Sequence, residues 1–390
     1  MAAAPGATRT QGAPAQAVSG GVSFVRGSGE GRYTFEVQSG VSIASAADVG
    51  PIDVKAYDYM RSLLIYVQAT GGTGSATSAF AADGPFNALS YVRVKQPNGQ
   101  TMYSVSSGFH AACIQKYGGA RGYAVSDPKL DAATYSTTTG TGTGGNFSFC
   151  LRIPFELDLR DALGALPNKD AAAPFTLELG VNAASTIYST QPTTLPTLTI
   201  TPVLEAYDQP PETMDGKPVE TTPPNMNTLQ RWTEQQITMN SGAFDARVRK
   251  LGNYVRELIF ITKNSSSVRQ TAANGWSNPQ QIVLDEDVKD NVPLWLWEKD
   301  LWETWGVNAF DSDASAQGAS GDTVAQYTGV WPYQYFCERR NPDIEDVAKY
   351  LPTIESEDYI LRGQNWGTNV GKLVVLKCEV LPRGDIFGDA

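Results

Sequence analysis

Short runs of alternating apolar and polar residues constrain the fold of this chain more than any other feature. Such runs lie at 33–37 (YTFEV), 62–67 (SLLIYV), 90–96 (SYVRVKQ), 147–153 (FSFCLRI) and 175–181 (FTLELGV). They are separated by stretches such as GGTGS, PNGQ and TTTGTGTGG, whose Gly, Asn and Pro residues favour tight turns. Because alternation places the apolar side chains on one face of a strand, the pattern predicts an all-β protein made of sandwiches or barrels.

The chain is expected to divide near its middle. Its 390 residues are too many for one ordinary core, and the segment 208–227 is rich in proline, which can neither continue a sheet nor sit inside a helix. We therefore predict a first β-domain over 32–207, an interdomain linker over 208–227, and a second β-domain with a C-terminal tail over 228–390. Residues 1–31 are rich in Ala, Gly, Ser and Gln, and we expect a flexible N-terminal arm there.

Two short segments indicate that the domains are related by duplication. YMRSLLIYV (59–67) in the first half matches YVRELIFIT (254–262) in the second, at half the chain length. The Tyr, Arg and Leu at alternate positions are expected to share one face of a strand. Each half also closes on an apolar strand with a proline-bearing exit, at 197–211 and 372–384. Two similar β-domains in tandem are therefore predicted.

The charge balance argues against direct binding of nucleic acid. Lys and Arg total 30 against 41 Asp and Glu, which gives a formal net charge of -11, and no basic run interrupts this background. Holding phosphates normally requires a basic patch. The first residues lack the apolar core of a signal peptide, and no apolar run approaches the ~20 residues of a transmembrane helix, so synthesis in the cytoplasm is expected.

The residue types used in catalysis are sparse. His110 is the only histidine and the four cysteines show no CxxC spacing, so we predict no catalytic triad, no metal site and no cofactor. Carboxylate clusters, such as Glu298 with Glu303 or Glu156 with Asp158, leave a glycoside hydrolase open as an alternative, since those enzymes use two carboxylates. A solvated surface explains such clusters more simply. The chain is expected not to be an enzyme.

The segment PLWLWEKDLWETW (293–305) holds four of the eight tryptophans and predicts a short amphipathic helix in a loop of the second domain. At helical spacing, one stripe contains Leu294, Trp297, Leu301 and Trp305. This stripe could cover the helix's own sandwich. Trp295 and Trp302, beside it, could be buried against a neighbouring chain, since Trp is enriched among anchoring residues. Alternatively, Trp295 and Trp297 could form a sugar-binding platform.

Several segments, in their order and spacing, carry a resemblance to a known family. They are GPFN (84–87), PNG (97–99) and SGF (107–109) in the first half, and VWPYQYFCERRNPDI (330–344) in the second. Together they resemble the double jelly-roll major capsid proteins of tailless, internal-membrane bacteriophages, the tectivirus-like group. The fold implied is two tandem eight-stranded jelly-roll β-sandwiches with short connecting helices.

The function implied by this resemblance is self-assembly. A chain of this kind would form pseudo-hexagonal homotrimers that build the icosahedral shell of a virion around an internal membrane. Penton or minor capsid proteins would be further partners, and the N-terminal arm would contact the membrane or minor proteins. Trp295 and Trp302 would lie at the trimer interface. A jelly-roll protein that binds carbohydrate or a receptor is the alternative.

Overall fold

The computed structural model describes most of the two predicted domains. The described residues are 21–74, 77–118, 135–138, 140–142, 144–157, 161–224, 226, 228–240, 242–249, 252–270, 276–305, 329–334, 350–353, 358–366 and 370–381.

The first half consists mainly of strands. They are β1 (Glu30–Thr34), β2 (Gln38–Ser42), β3 (Ala47–Asp53), β4 (Tyr59–Thr70), β5 (Thr77–Phe80), β6 (Leu89–Lys95), β7 (Thr101–Val105), β8 (Tyr135–Thr138), β9 (Gly140–Thr141), β10 (Asn146–Pro154), β11 (Leu166–Pro167), β12 (Thr176–Val181), β13 (Tyr188–Thr190) and β14 (Thr197–Tyr207). The helices here are α1 (Phe24–Gly27), α2 (Gly108–Tyr117) and α3 (Ala184–Ile187), with a 3-10 turn at Phe86–Ala88.

The second half repeats this composition. Its strands are β17 (Leu229–Thr238), β18 (Gly242–Arg247), β19 (Tyr254–Asn264), β20 (Gln280–Leu284), β21 (Asp287–Val292), β22 (Val330–Gln334), β23 (Leu351–Pro352), β24 (Tyr359–Trp366) and β25 (Val370–Leu381). The segment predicted as a linker contains the short antiparallel pair of β15 (Thr213–Met214) and β16 (Lys217–Pro218). The tryptophan-rich segment forms α4 (Leu294–Trp305).

Each half folds as a sandwich of two four-stranded layers. In the first half the layers have the orders β1-β14-β4-β10 and β7-β6-β12-β3, with β2, β8 and β11 as short additions. In the second half they have the orders β17-β25-β19-β22 and β21-β20-β24-β18, with β23 added. Strand for strand, the two orders correspond. The predicted fold class, two tandem eight-stranded jelly rolls with short helices, is confirmed.

The cores lie between the layers of each sandwich. In the first half, Ile65 and Val67 of β4 are fully buried in the same apolar cluster as Val92 and Val94 of β6. The alternation seen in the sequence produces this arrangement, because every second side chain of these strands points to the opposite layer. The corresponding strand of the second half, β19, is buried on both faces over most of its length.

The matched segments of the two halves start the equivalent strands β4 and β19. The pairing of β4 with β14 skips Arg61, and the pairing of β19 with β25 skips Arg256. Each arginine therefore occupies the extra position of a β-bulge. The expectation that Tyr, Arg and Leu share one face is wrong, because the bulge resets the alternation: Leu63 lies in the main core, whereas Tyr59 packs in a separate cluster with Phe24.

A Leu-Pro dipeptide is also duplicated. Leu166–Pro167 (β11) pairs with the first residues of β4, and Leu351–Pro352 (β23) pairs with the first residues of β19. In both cases the leucine lies opposite the second residue of the strand and the proline lies opposite the tyrosine that begins it. The duplication therefore extends from strand order to individual residues.

The boundaries predicted for the two domains and the linker stay predictions, and the strands nearest to them can be stated. The last strand of the first half ends at Tyr207 and the first long strand of the second begins at Leu229, on either side of 208–227. Residues 1–20 of the predicted arm lie outside the described part of the chain. Of the rest of the arm, Phe24 is buried and β1 begins at Glu30.

Candidate assembly surfaces

The two jelly rolls are joined by a continuous sheet. Edge strand β7 of the first half pairs in parallel with edge strand β17 of the second, with Tyr103 opposite Trp232 and Ser104 opposite Thr233. The joined sheet has nine strands, including the short β23. The contact is heterologous, since an edge of one layer type in the first domain meets an edge of the other layer type in the second.

The junction of β7 with β17 is called the seam from here on. Helix α2 of the first jelly roll packs onto this seam. Trp232 is only 1% exposed, and its ring lies against the end of the helix at Gly118. A Cβ at Gly118 would lie 2.3 Å from Cζ2 of Trp232, closer than any real contact. Glycine is therefore required here because the indole and the backbone approach each other directly.

Arg256, the bulge arginine of the second domain, also contacts the end of α2. Its Nη1 donates to Oε1 of Gln230 at 2.9 Å, and its Nη2 donates to the carbonyl oxygen of Gly118. Gln230 in turn donates from Nε2 to the carbonyl oxygen of Glu156, at 3.0 Å. Arg256 is 1% exposed, and besides these groups at the end of α2 and on β17 it lies near the buried carboxylate of Glu257, whose Oε2 is 3.9 Å from Nη2.

The beginning of α2 is held by a carboxylate from the second domain. Glu234 of β17 lies 2.8 Å from Nδ1 of His110, and it accepts hydrogen bonds from the backbone nitrogen and the hydroxyl of Ser106. Burial alone would raise the pKa of Glu234, but the hydrogen bonds from His110 and Ser106 and the interaction with the imidazole together lower it to about 2. The single histidine thus has a structural role between domains.

A buried ion pair links two loops across the same seam. Nε of Arg269 lies 2.9 Å from Oδ1 of Asp83, and the two side chains are 7% and 13% exposed. The guanidinium also lies over the ring of Phe109 in the first turn of α2, 4.7 Å from its centroid. The first turn of α2 therefore meets the second domain at two places.

The bulge arginine of the first domain has partners in its own jelly roll. Nε of Arg61 lies 3.0 Å from Oε2 of Glu156, and Nη1 lies 2.5 Å from Oε2 of Glu30 on β1. The guanidinium is stacked 4.1 Å from the ring centroid of Tyr207. Glu30 occupies on β1 the position that Gln230 occupies on β17.

By strand order, β21 is the equivalent of β7 and β1 is the equivalent of β17. Both are edge strands within the described part of the chain. There, β21 pairs only with β20, and β1 pairs only with β14. Both carry charged and exposed side chains: Arg32 of β1 is 69% exposed, and Asp287 and Lys289 of β21 are also well exposed. Open strand edges of this kind can accept a further strand.

The tryptophan helix is confirmed, and its two faces differ. Trp297 and Leu301 are buried, and the indole of Trp297 packs edge-on against Trp276 and Trp331 in the core of the second domain. Trp295, in the first turn of α4, is 65% exposed. With Trp297 in the core, the two rings cannot form a shared sugar platform. The side chain of Trp302 lies outside the described residues, and its place at an interface stays a prediction.

Of the carboxylate pairs considered for catalysis, one member of each is described, since Asp158 and the side chain of Glu303 lie outside the described residues. Glu156 is buried and bonded to Arg61 and to the hydroxyl of Tyr207, 2.6 Å away. Glu298 is partly buried, and this burial raises its pKa. No group of three or more potential metal ligands occurs among the described residues. No helix in that part of the chain is long and apolar enough to cross a membrane.

Most residues of the seam have no signal in the sequence. The match of 59–67 to 254–262 contains both arginines but does not show that they lie in bulges. The repeated Leu-Pro is a usable signal, because its two copies follow the matched segments at similar distances. His110 and Glu234 carry no sequence signal, since their strands and helices meet only through the parallel pairing.

Comparisons with known proteins give the fold a context. No family model matches the sequence, and a search of curated proteins finds no relative. Solved structures are similar. The crystal structure of the STIV MCP has a TM-score of 0.60 at 12% identity, covering 91% of this chain and 97% of that one. In the atomic structure of Sulfolobus Turreted Icosahedral Virus, a matching chain has a TM-score of 0.58 at 12% identity, with 90% and 91% covered.

A third similar structure is the quasi-atomic model of the PBCV-1 virus capsid. Its TM-score is 0.55 at 9% identity, and the match covers 90% of this chain and 93% of that one. At such identities the likeness establishes a shared fold. The protein is a double jelly roll of the type seen in these capsid proteins.

Proposed function

We propose that this protein is a major capsid protein, which forms the shell of an icosahedral virion by self-assembly. The similar solved structures, which come from viral capsids, support a capsid role and a location in the virion. The observation that carries the proposal further is the heterologous seam between two equivalent jelly rolls. In a heterologous contact two different edges meet, and each of the two equivalent jelly rolls has both kinds of edge. The two edges not used within the chain are therefore left for a contact with another chain.

The ring follows from repeating this contact. If the second domain meets the first domain of another chain as it meets its own, each chain adds two domains to a ring. A heterologous contact closes into a ring when its rotation allows. Three chains would then supply six similar domains, which gives a pseudo-hexagonal block suited to tiling a flat facet. The homotrimer is therefore the proposed building unit.

The remaining partners belong to the same proposal. Penton or minor capsid proteins would fill the vertices and edges of the lattice, and the N-terminal arm would contact minor proteins or an internal membrane. The formal net charge of -11 supports a shell that does not itself bind the genome. The role is structural, without catalysis. The side chains of Trp295 and Trp302 are proposed to lie at the contact between chains.

The test is the oligomeric state of the purified full chain. Mass photometry at submicromolar concentration and light scattering at micromolar concentration should give a trimer of three 42.0 kDa chains. Negative-stain micrographs of the same sample should show blocks with hexagonal outline. A protein that stays monomeric across this range would contradict the proposal. A glycan-array signal abolished by Trp295→Ala, without loss of trimer, would favour the carbohydrate-binding alternative.

A further inference from the structure

The seam within the chain shows which strand edges of two neighbouring jelly rolls pair with each other. It pairs β7, the strand before helix α2, with β17, the first strand of the next jelly roll. By strand order, β21 stands before helix α4 as β7 stands before α2, and β1 stands beside β14 as β17 stands beside β25. The equivalents of the joined edges are thus β21 and β1, both open in the described part of the chain.

The position of β1 relative to β17 is fixed by the bulges. Glu205 of β14 and Cys378 of β25 are the first residues paired on the far side of each bulge. Arg32 lies opposite Glu205, and Trp232 lies opposite Cys378. Arg32 therefore holds on β1 the place that Trp232 holds on β17.

The position of β21 relative to β7 is fixed by the residue that ends each strand. Val105 ends β7 and Val292 ends β21, and both are buried just before their helices begin. Two residues earlier stand Tyr103 and Asp290; the pairing is regular from each of them to the end of its strand, and each strand has a register shift directly before it. Since Tyr103 lies opposite Trp232 in the seam, Asp290 is the residue whose counterpart would be Arg32.

We propose that β21 of one chain pairs in parallel with β1 of the next chain, and that Asp290 lies opposite Arg32 in this pairing. The inference rests on the proposed trimer and names the contact that closes it. The charges at the two positions are opposite, which favours this register over neighbouring ones. Pairing also removes two open sheet edges, which soluble proteins otherwise have to protect.

The exposed tryptophan fits the same contact. In the seam within the chain, Phe109 and His110 in the first turn of α2 touch the second domain. Trp295 stands in the first turn of α4, which immediately follows β21, and it is 65% exposed. Parallel pairing of β21 would carry this turn to the neighbouring chain, where the indole would be buried beside the new strand pair.

A charge-exchange cycle tests the pairing. Arg32→Asp and Asp290→Arg are made singly and together in the full chain, and trimer dissociation is followed by mass photometry on dilution. Each single variant should raise the dissociation constant at least about tenfold, and the double variant should recover most of that loss. The bond from Arg32 to Glu205 within the chain is lost in the Arg32 single and the double variant, and the hydrogen bond from Tyr333 to Asp290 is lost in the Asp290 single and the double variant. Neither bond returns in the double variant, so recovery reports the contact between chains. Thermal unfolding checks that each variant folds.

A disulfide test reads the register independently. Adjacent strands bring Cα atoms within disulfide range, so the pair Arg32→Cys with Asp290→Cys should give covalent trimers under mild oxidation. The pair Arg32→Cys with Asn291→Cys is the matched control: a one-residue shift turns the side chain to the other face, and it should crosslink far less. A wild-type trimer that is indifferent to the charge exchange and gives no crosslink would overturn this pairing but leave the proposed assembly intact. A wild-type chain that stays monomeric would overturn both.

Discussion

Arg61 and Arg256 occupy the same bulge position in the two jelly rolls, yet Arg256 also bonds to the other domain. Arg61 is paired with Glu156 and Glu30 of its own sandwich, whereas Arg256 reaches the end of helix α2 in the other sandwich. The duplicated residue therefore holds one domain together in the first half and joins two domains in the second.

Replacing the arginine of the seam should weaken the union of the two domains. Arg256→Leu leaves the carbonyl of Gly118 and the side chain of Gln230 buried without this donor, so we expect a loss of about 3 kcal/mol in the free energy of unfolding. Urea denaturation followed by tryptophan fluorescence measures it. Arg247→Leu is the control, because the side chain of Arg247 is 74% exposed and its ion pair should contribute less than about 1 kcal/mol. Equal losses for the two variants would contradict the assigned role.

The carboxylate of Glu234 should make stability depend on pH in acid. Its pKa in the folded protein is about 2, below the ordinary 4.5, so the folded state favours the charged form. The resulting stabilisation is complete above about pH 4.5 and is lost as the pH falls towards 2. Glu234→Gln should therefore cost on the order of 3 kcal/mol at pH 7, and the difference from wild type should shrink through that window. Urea titrations at several pH values, with exposed Glu220→Gln as control, measure this. A difference that stays constant with pH would refute the linkage.

The two neighbouring tryptophans of α4 should respond in opposite ways to truncation. Trp297→Ala removes a buried ring from the core and should cost about 3 to 5 kcal/mol of folding stability. Trp295→Ala removes an exposed ring and should leave the unfolding of the chain almost unchanged while weakening the trimer. Thermal unfolding and mass photometry separate the two effects. Trp295→Ala with unaltered trimer dissociation would exclude this residue from the contact between chains.

The close approach at Gly118 should tolerate no side chain. Gly118→Ala places a methyl group against the ring of Trp232, and we expect a loss of about 1 to 3 kcal/mol through displacement of the indole. Trp232→Phe lacks the ring atoms nearest to the new methyl group. In a double-mutant cycle the combined variant should therefore lose less than the sum of the single losses. Strict additivity would show that the strain arises elsewhere.

The sequence predicted those parts of the fold that depend on local periodicity. Alternation identified β4, β10 and β12, and helical spacing identified α4 with Trp297 and Leu301 on its buried side. Both signals are carried by residues close together in the chain. The positions of Trp295 and Trp302 in an assembly depend on a second molecule and remain predictions.

The seam could not be predicted in the same way. His110 and Glu234 are brought together by a parallel pairing of strands that are far apart in sequence. A bulge at Arg61 or Arg256 changes the alternation by one residue, and no residue type marks it in advance. Long-range pairing and strand irregularities are set by packing between elements, which local patterns do not record.

One difference between the duplicated halves accompanies the change of partner. Glu30 on β1 corresponds to Gln230 on β17. The carboxylate of Glu30 contacts Arg61 within the first jelly roll, whereas the amide of Gln230 accepts a hydrogen bond from Arg256 and donates one to the carbonyl oxygen of Glu156 in the other jelly roll. An ionised carboxylate only accepts hydrogen bonds and an amide both accepts and donates, so the exchange of one functional group gives the second copy a contact that the first copy cannot make.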